Sequence, residues 1–109
     1  MCLVQEYAEK LFEARFSKTS VDRLEQLSED ESPHVRKRVA YNRSTPVYIL
    51  VKFIKDSSSE VRQMVAQNPN TPPAMLVELF KDTDFFVQDS VLVNPNCPLE
   101  IKVEYLLSQ

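Results

Sequence analysis

The chain contains no glycine and no tryptophan, and its 109 residues include one histidine and two cysteines. Without glycine there is no glycine loop of the kind that cradles phosphates in nucleotide-binding enzymes. A metal site or a histidine-activated nucleophile would depend on His34 alone, so we expect neither. Cys2 and Cys97 lack the spacing of metal ligands, and we expect both to be reduced thiols of a cytoplasmic protein.

Long apolar runs are also absent. No stretch of 18 apolar residues occurs, so we expect no membrane-spanning helix. The first ten residues carry acids where a signal peptide would be apolar, so we do not expect secretion. With 43% apolar residues, the chain has the composition of one folded domain with a modest core. No acid–base or nucleophile pairing stands out, so we expect no enzymatic activity and no cofactor.

What the sequence does contain is a unit of 26 residues that occurs three times in register. A fixed period of this size is typical of solenoids, in which each unit buries its apolar face against its neighbours. The recurring positions are Val35, Val61 and Val87; Val39, Val65 and Val91; Asn42, Asn68 and Asn94; and Pro46, Pro72 and Pro98.

Each unit has the start signals of two short helices. We expect the first to be capped by Ser32, Ser58 or Asp84. We expect the second to be capped by Thr19, Thr45, Thr71 or Cys97, with proline at the first helical position in the last three. Asn42, Asn68 and Asn94 lie between the helices, where asparagine tolerates the left-handed conformation. The predicted helices span 3–15, 20–29, 33–41, 46–55, 59–67, 72–81, 85–93 and 98–107.

These patterns predict an all-α solenoid of about four two-helix repeats in one domain, 1–109. A capping helix at 1–18 precedes a partial repeat at 19–29 and repeats at 30–55, 56–81 and 82–107. Polar residues replace apolar ones in the second helices at both ends, where Arg23, Glu25, Ser28 and Lys102 stand. We therefore expect both ends of the stack to be polar caps, as a soluble solenoid requires.

The string V-R-x-x-V-A-x-N-P-N-T-P-x-x-x-L, complete at Val61–Leu76, resembles the leucine-rich repeat variant family. Val35–Pro46 matches it with Arg43 and Ser44 replacing Pro-Asn, and Val87–Pro98 matches with three substitutions. The resemblance covers about residues 19–107. It implies a right-handed superhelix of alternating helices, one of each pair short and partly 3₁₀, with no general enzymatic activity. The iron–sulfur module of some relatives is not implied, because Cys2 alone cannot supply it.

Charge is distributed unevenly along the chain. Residues 33–55 hold six bases and no acids, whereas 1–32 and 56–109 hold eight acids each against four and three bases. A basic unit between acidic flanks could receive an anionic partner; the alternative is a solvated surface. The candidate partner-binding residues are Lys37, Arg38, Arg43, Tyr48, Lys52 and Lys55, of which Tyr48, Lys52 and Lys55 share one face of a helix.

Two further groups of residues stand out. Phe85 and Phe86 replace polar residues at the start of a helix, and we expect one to be buried and the other partly exposed as a candidate contact. Arg36 and Arg62 repeat in register with aspartates 30, 56 and 82, which indicates structural bonds between units. Asn42, Asn68 and Asn94 are expected to satisfy loop backbone groups rather than to bind a ligand.

Two functions of different classes fit this sequence. The first is a non-catalytic scaffold that binds a protein or peptide. The second is binding of nucleic acid or another polyanion through the basic unit 33–55, which the sequence pI near 5.1 and the surrounding acids disfavour. The partner, the binding face and the oligomeric state are left open by the sequence.

Overall fold

A computed structural model of the chain describes the backbone of residues 2–109 and the side chains of residues 4–109. The predictions for the side chains of Cys2 and Leu3 therefore lie outside the described residues. Within the described part the secondary structure is helical throughout, without a strand, which confirms the predicted all-α fold class. The helices are α1 Cys2–Arg15, α2 Val21–Leu27, α3 Pro33–Tyr41, α4 Val47–Phe53, α5 Ser59–Gln67, α6 Pro73–Leu79, α7 Phe85–Val93 and α8 Leu99–Leu107.

The first helix of each unit has the predicted bounds, whereas the second is shorter than predicted. Helix α4 ends at Phe53 rather than at residue 55. The N–H of Ile49 donates to the Pro46 carbonyl at 3.0 Å, and the N–H of Ile54 donates to the Val51 carbonyl at 3.3 Å. These three-residue hydrogen bonds are of the 3₁₀ type, which tightens the chain at both ends of the helix.

The repeated threonines do not cap the second helices, so that prediction is wrong. The N-cap positions are Pro46, Pro72 and Pro98, whose extended backbone leads into the helix without a side-chain bond. The Thr45 hydroxyl instead donates to the Val39 carbonyl at 2.7 Å, and Thr71 repeats this contact in the next unit. Threonine therefore closes the helix before it, because its hydroxyl satisfies a carbonyl at that helix's C-terminal end.

The repeated asparagines are not left-handed, so that prediction is also wrong. Asn42, Asn68 and Asn94 are extended, with φ between −70° and −68°, and no residue in 2–109 has a positive φ. The side-chain oxygen of each asparagine accepts the N–H two residues later at 2.8 Å, which holds the turn. A chain without glycine can make these turns because none of them needs the left-handed region.

The same asparagines also join each unit to the one before it. The amide of Asn42 donates to the carbonyls of Ala14 and Phe16, at 2.8 and 3.0 Å. Asn68 and Asn94 donate to the equivalent carbonyls 28 and 26 residues earlier. All three asparagines are buried, so each amide satisfies carbonyls that packing has removed from water.

The odd-numbered helices form a continuous layer in which α1 packs on α3, α3 on α5 and α5 on α7. Each even-numbered helix up to α6 packs against the odd-numbered helix that follows it. The stack is elongated, with extents of 53 × 22 × 17 Å. The helix pairs α3–α4, α5–α6 and α7–α8 lie within 30–55, 56–81 and 82–107, and the assignment of 1–109 to one domain stays a prediction.

Small and β-branched side chains line the layer of odd-numbered helices. Ala14, Ala40 and Ala66 are fully buried at the same register, where a small side chain allows neighbouring helices to approach closely. The repeated valines and the apolar residues of the second helices complete one core, in which burial of a valine or leucine contributes about 1.5–3 kcal/mol. Leu92 follows in that register on α7, where it is partly buried and packs against the core.

Candidate functional site

Arg36 and Arg62 are structural residues that connect consecutive units. Arg36 donates to both carboxylate oxygens of Asp56, at 2.9 and 3.1 Å, and to the Asp30 carbonyl at 2.8 Å. Arg62 makes the same contacts with Asp82 and the Asp56 carbonyl. The carboxylate also accepts the backbone N–H two residues later, so both charges are satisfied within the fold and are not available to a partner.

This row of ion pairs has a first member that the sequence reading missed. Lys10 lies 26 residues before Arg36, and its ammonium is 3.0 Å from the carboxylate of Asp30. Burial alone would raise the pKa of Asp30, but the N–H of Ser32 and the ammonium of Lys10 outweigh it and hold the pKa below its ordinary value of 3.8. The 26-residue spacing between Lys10 and Arg36 could have indicated this pair. It was missed because a lysine stands where the inner units have an arginine.

The row ends at the other terminus of the stack. Gln88 occupies the register of Arg62 and donates to the Asp82 carbonyl at 2.6 Å. It therefore keeps the bond within its own unit and gives up the bond to a following unit. Ser108 stands in the register of the aspartates, so neither half of an ion pair occurs there.

Tyr48 and Lys52 are tied to the preceding second helix. The Tyr48 hydroxyl donates to the Glu25 carboxylate at 3.0 Å, and this hydrogen bond, with burial as a smaller cause, raises the pKa of Tyr48. The Lys52 ammonium donates to the Ser28 hydroxyl at 3.0 Å and lies 3.6 Å from Glu29. Glu25 of α2 and Glu29, which follows α2, therefore partly neutralise the helix face on which the sequence predicted Tyr48, Lys52 and Lys55 as a binding surface.

The other candidates from the basic unit lie in three different places. Lys55 borders a groove that also contains Arg62 and Asp82. Arg43 is exposed in the turn between α3 and α4, where its carbonyl accepts a hydrogen bond from the amide of Asn70. Lys37 and Arg38 lie on α3 beside another groove. The structure therefore divides the predicted basic surface instead of assembling it into one site.

The groove beside α3 combines bases with apolar side chains. It has a volume of about 360 Å³ and is lined by Arg15, Lys37, Arg38, Tyr41, Asn42 and Met64. Met64 packs partly against the core, whereas Tyr41, Arg15 and Arg38 are exposed. We call this the α3 groove.

The helices themselves explain why bases gather in the α3 groove. Arg15 lies in the last turn of α1 and Arg38 in the last turn of α3. The C-terminal turn of a helix carries partial negative charge, which favours cations there. Within the described side chains neither arginine forms an ion pair, whereas Lys37 lies 3.6 Å from Glu60. Two guanidinium groups are thus free to bind carboxylate or phosphate oxygens in the bidentate geometry that arginine favours.

Phe85 and Phe86 are both exposed, by 65% and 64%, so the expectation that one would be buried is wrong. Their rings form an edge-to-face pair with centroids 6.1 Å apart. Both rings are exposed because they lie in the first turn of α7. The equivalent positions of the inner units also hold residues that face water. Whether the pair contacts a partner stays a prediction.

The C-terminal end of the stack is not the polar cap that Lys102 indicated. Helix α8 exposes Leu99, Val103, Leu106 and Leu107, and α7 exposes Val93. The prediction considered the one position where a base replaces leucine. It overlooked another side of α8. There Leu99 takes the place of Val47 and Pro73, and Leu107 takes the place of Lys55 and Lys81.

Neither a metal-ligand cluster nor a membrane-spanning helix occurs among the described residues. No cluster of histidine, cysteine and carboxylate side chains that could hold a metal ion occurs among them. Burial raises the pKa of the Cys97 thiol, and Lys102 opposes this only in part, so the thiol form is favoured. In the same part of the chain, every helix is too short or too polar to cross a bilayer.

Comparison with known proteins agrees with this repeat geometry. A model of the leucine rich repeat variant family matches residues 60–84, which include α6 and all of α5 except its first residue, Ser59. No curated protein and no solved structure matches the chain. The predicted family resemblance is therefore confirmed at this unit: the chain is a helical repeat stack that carries a leucine rich repeat variant unit at residues 60–84.

Proposed function

We propose that this helical repeat stack is a non-catalytic scaffold that binds an acidic segment of a partner protein in the α3 groove. The observation that supports it best is the convergence of Arg15 and Arg38, from consecutive helices of one layer, on a groove without acidic partners for either. The adjacent apolar surface of Met64 and Tyr41 suits a peptide that carries both acidic and apolar side chains.

Rigidity is the second support. The α3 groove is bounded by α1, α3 and α5, which pack directly on one another and are joined by the buried Asn42 and Asn68 amides. The helices that carry its two arginines are therefore already ordered before a partner binds. A preorganised site loses less conformational entropy when a partner binds.

The alternative is a nucleic acid or another polyanion, and residues 33–55 favour it because they hold six bases and no acid. Three of those bases, Arg36, Lys37 and Lys52, have acids within 4 Å, so fewer remain for phosphates. The net charge of −3 opposes both ligands, and it opposes a polyanion more because a polyanion carries many more negative charges than a short acidic segment. A protein partner therefore agrees better with the charge distribution, and a cytoplasmic location remains part of this proposal.

The test is a fluorescence polarisation titration at low salt with three labelled probes: a peptide of alternating glutamate and leucine, its lysine counterpart, and mixed-sequence single-stranded DNA. We expect the acidic peptide to bind most tightly. Arg38→Glu should weaken it by about tenfold, because one favourable charge contact is replaced by repulsion.

Lys55→Glu is the matched control, since it makes the same charge change in a different groove. It should leave the affinity for the acidic peptide nearly unchanged. Equal losses in both variants would show a nonspecific charge effect and contradict the α3 groove as the site. Tighter binding of DNA than of the acidic peptide would contradict the proposal and favour the polyanion alternative.

A further inference from the structure

Helix α8 carries an apolar stripe on its lateral face. Leu99, Val103 and Leu107 are spaced by four residues and are 72%, 44% and 81% exposed. Such spacing places the three side chains along one side of a helix. They line a shallow groove of about 680 Å³, together with two glutamates of the same helix.

Those glutamates, Glu100 and Glu104, form a crest between two apolar surfaces. On one side of the crest lies the stripe of α8, and on the other lie Ala74 and Val77 of α6 with Pro98. Both glutamates are exposed, and neither forms an ion pair within the described side chains. Glu100 lies in the first turn of α8, where the helix dipole favours an acid, but like charges four residues apart repel, so the helix terminus accounts for Glu100 and not for Glu104.

One position of the stripe, Leu107, is particular to the last unit, whereas Val47 and Val51 of α4 are 42% and 50% exposed at the registers of Leu99 and Val103. The register of Leu107 holds Lys55 and Lys81 in the inner units, and the register of Leu99 holds Val47 and Pro73. The lysine at the end of the second helix in the inner units is thus replaced by leucine in the last unit alone. A contiguous apolar surface beside charged residues marks an interaction site more often than isolated exposed residues do.

We propose that this surface, the α8 groove, binds a basic amphipathic helix of another protein. Leucine-like side chains at four-residue spacing would pack on Leu99, Val103 and Leu107, and lysine or arginine would pair with Glu100 and Glu104. This is the helix-in-groove mode of recognition, in which apolar anchors supply affinity and flanking charges set orientation and partner choice.

Other occupants fit the charges less well. In a two-fold pair of antiparallel α8 helices, each flank would meet the same flank of the second copy. The Glu100 and Glu104 flank would therefore face its own duplicate, and repulsion would oppose the dimer. An anionic bilayer surface would meet the same acids and be repelled.

This inference is independent of the α3 groove, because the two surfaces share no residue. The probes are two labelled amphipathic helical peptides of the same leucine pattern, one with lysine and one with glutamate on the polar face. In the Arg38→Glu background, in which the α3 groove should bind acidic peptides weakly, we expect the lysine peptide to bind at least about tenfold more tightly than the glutamate peptide.

Val103→Asp should weaken the lysine peptide by about tenfold or more, since it places a charge at the centre of the contact. The matched control is Val51→Asp, which changes the residue at the same register of α4, where the side chain is 50% exposed. That control should retain the wild-type affinity. Glu100→Lys combined with Glu104→Lys should reverse the preference between the two peptides. Arg38→Glu should have no effect on the lysine peptide, which separates this site from the α3 groove.

Circular dichroism melting of each variant checks that the stack remains folded. Equal binding of the two peptides in the Arg38→Glu background, absence of binding of the lysine peptide, or equal losses from Val103→Asp and Val51→Asp would overturn the proposal. Sedimentation of the unliganded protein gives a further check. A concentration-dependent dimer that Val103→Asp abolishes would assign the α8 groove to a second copy instead.

Discussion

The side-chain amide of Asn68 donates a 3.2 Å hydrogen bond to the backbone carbonyl of Asn42, the residue at the same position one repeat earlier. Asn94 bonds Asn68 in turn, and Asn42 bonds Phe16. The repeated asparagine therefore does two things in each unit: it holds its own turn and connects its unit to the previous one. A stack with only nearest-neighbour contacts depends on such bonds between units.

Replacing Asn68 with alanine should lower the free energy of unfolding by about 2–4 kcal/mol, because three hydrogen bonds disappear and two carbonyls lose a partner. Asn68→Gly should cost at least as much, since φ is −69° and glycine adds freedom only to the unfolded chain. Urea denaturation measures both. A glycine variant more stable than the alanine variant would show that the backbone conformation, and not the side chain, is what the position requires.

The row of Arg–Asp pairs allows a comparison within one chain. Arg62→Met should destabilise the stack by about 3 kcal/mol, because Asp82 would be left with less compensation in a partly buried place. Arg62→Gln should cost less, since the amide can still reach the carbonyl of Asp56 as Gln88 reaches that of Asp82. Equal losses from the two variants, measured by urea denaturation, would indicate that the carbonyl contact contributes nothing.

Asp30 makes stability depend on pH in a defined direction. Its pKa is lowered in the folded chain, so the ionised carboxylate stabilises the fold above the unfolded pKa near 3.8, and this contribution is lost as the pH falls through the folded value. Lys10→Met removes one cause of the lowering and should raise the pKa of Asp30. A carboxyl-carbon NMR titration measures it. Lys81→Met, which removes the exposed pair with Glu78, should leave Asp30 unaffected.

The repeat allowed the helices of the fold to be predicted almost entirely, because the apolar period and the prolines agree at each boundary, although the threonines and asparagines play other roles than predicted. The site was harder to predict. Pairing between units depends on distances across the stack, so sequence could not show that Lys52 lies at 3.0 Å from the Ser28 hydroxyl while Arg38 forms no ion pair among the described side chains. The exposed stripe of α8 was missed because the expectation of a polar end rested on the single position of Lys102.

The contacts of Lys52 change what its reversal should do. Lys52→Glu would replace an attraction to Glu29 with repulsion and break the bond to Ser28, so it should lower stability by up to about 1 kcal/mol. Lys55→Glu should leave the melting temperature nearly unchanged, because Lys55 is exposed and makes no ion pair within residues 4–109. Melting followed by circular dichroism distinguishes them, and a stabilised Lys52→Glu variant would contradict the contact.

Cys97 offers a substitution that should stabilise the stack. It stands in the register of Thr45 and Thr71, whose hydroxyls donate to the carbonyls of Val39 and Val65 at 2.7 Å. The Cys97 thiol instead lies 3.6 Å from the carbonyl of the next residue, Pro98, and sulfur is a weak donor.

Cys97→Thr should therefore gain a hydrogen bond to the Val91 carbonyl and raise the free energy of unfolding by about 0.5–1.5 kcal/mol. Cys97→Val is the control, because valine has the shape of threonine without the hydroxyl, and it should not reproduce the gain. Urea denaturation of the two variants isolates the hydroxyl. If both variants stabilise the chain equally, the gain comes from β-branching and packing, and the repeated threonine contact is not a source of stability at this end.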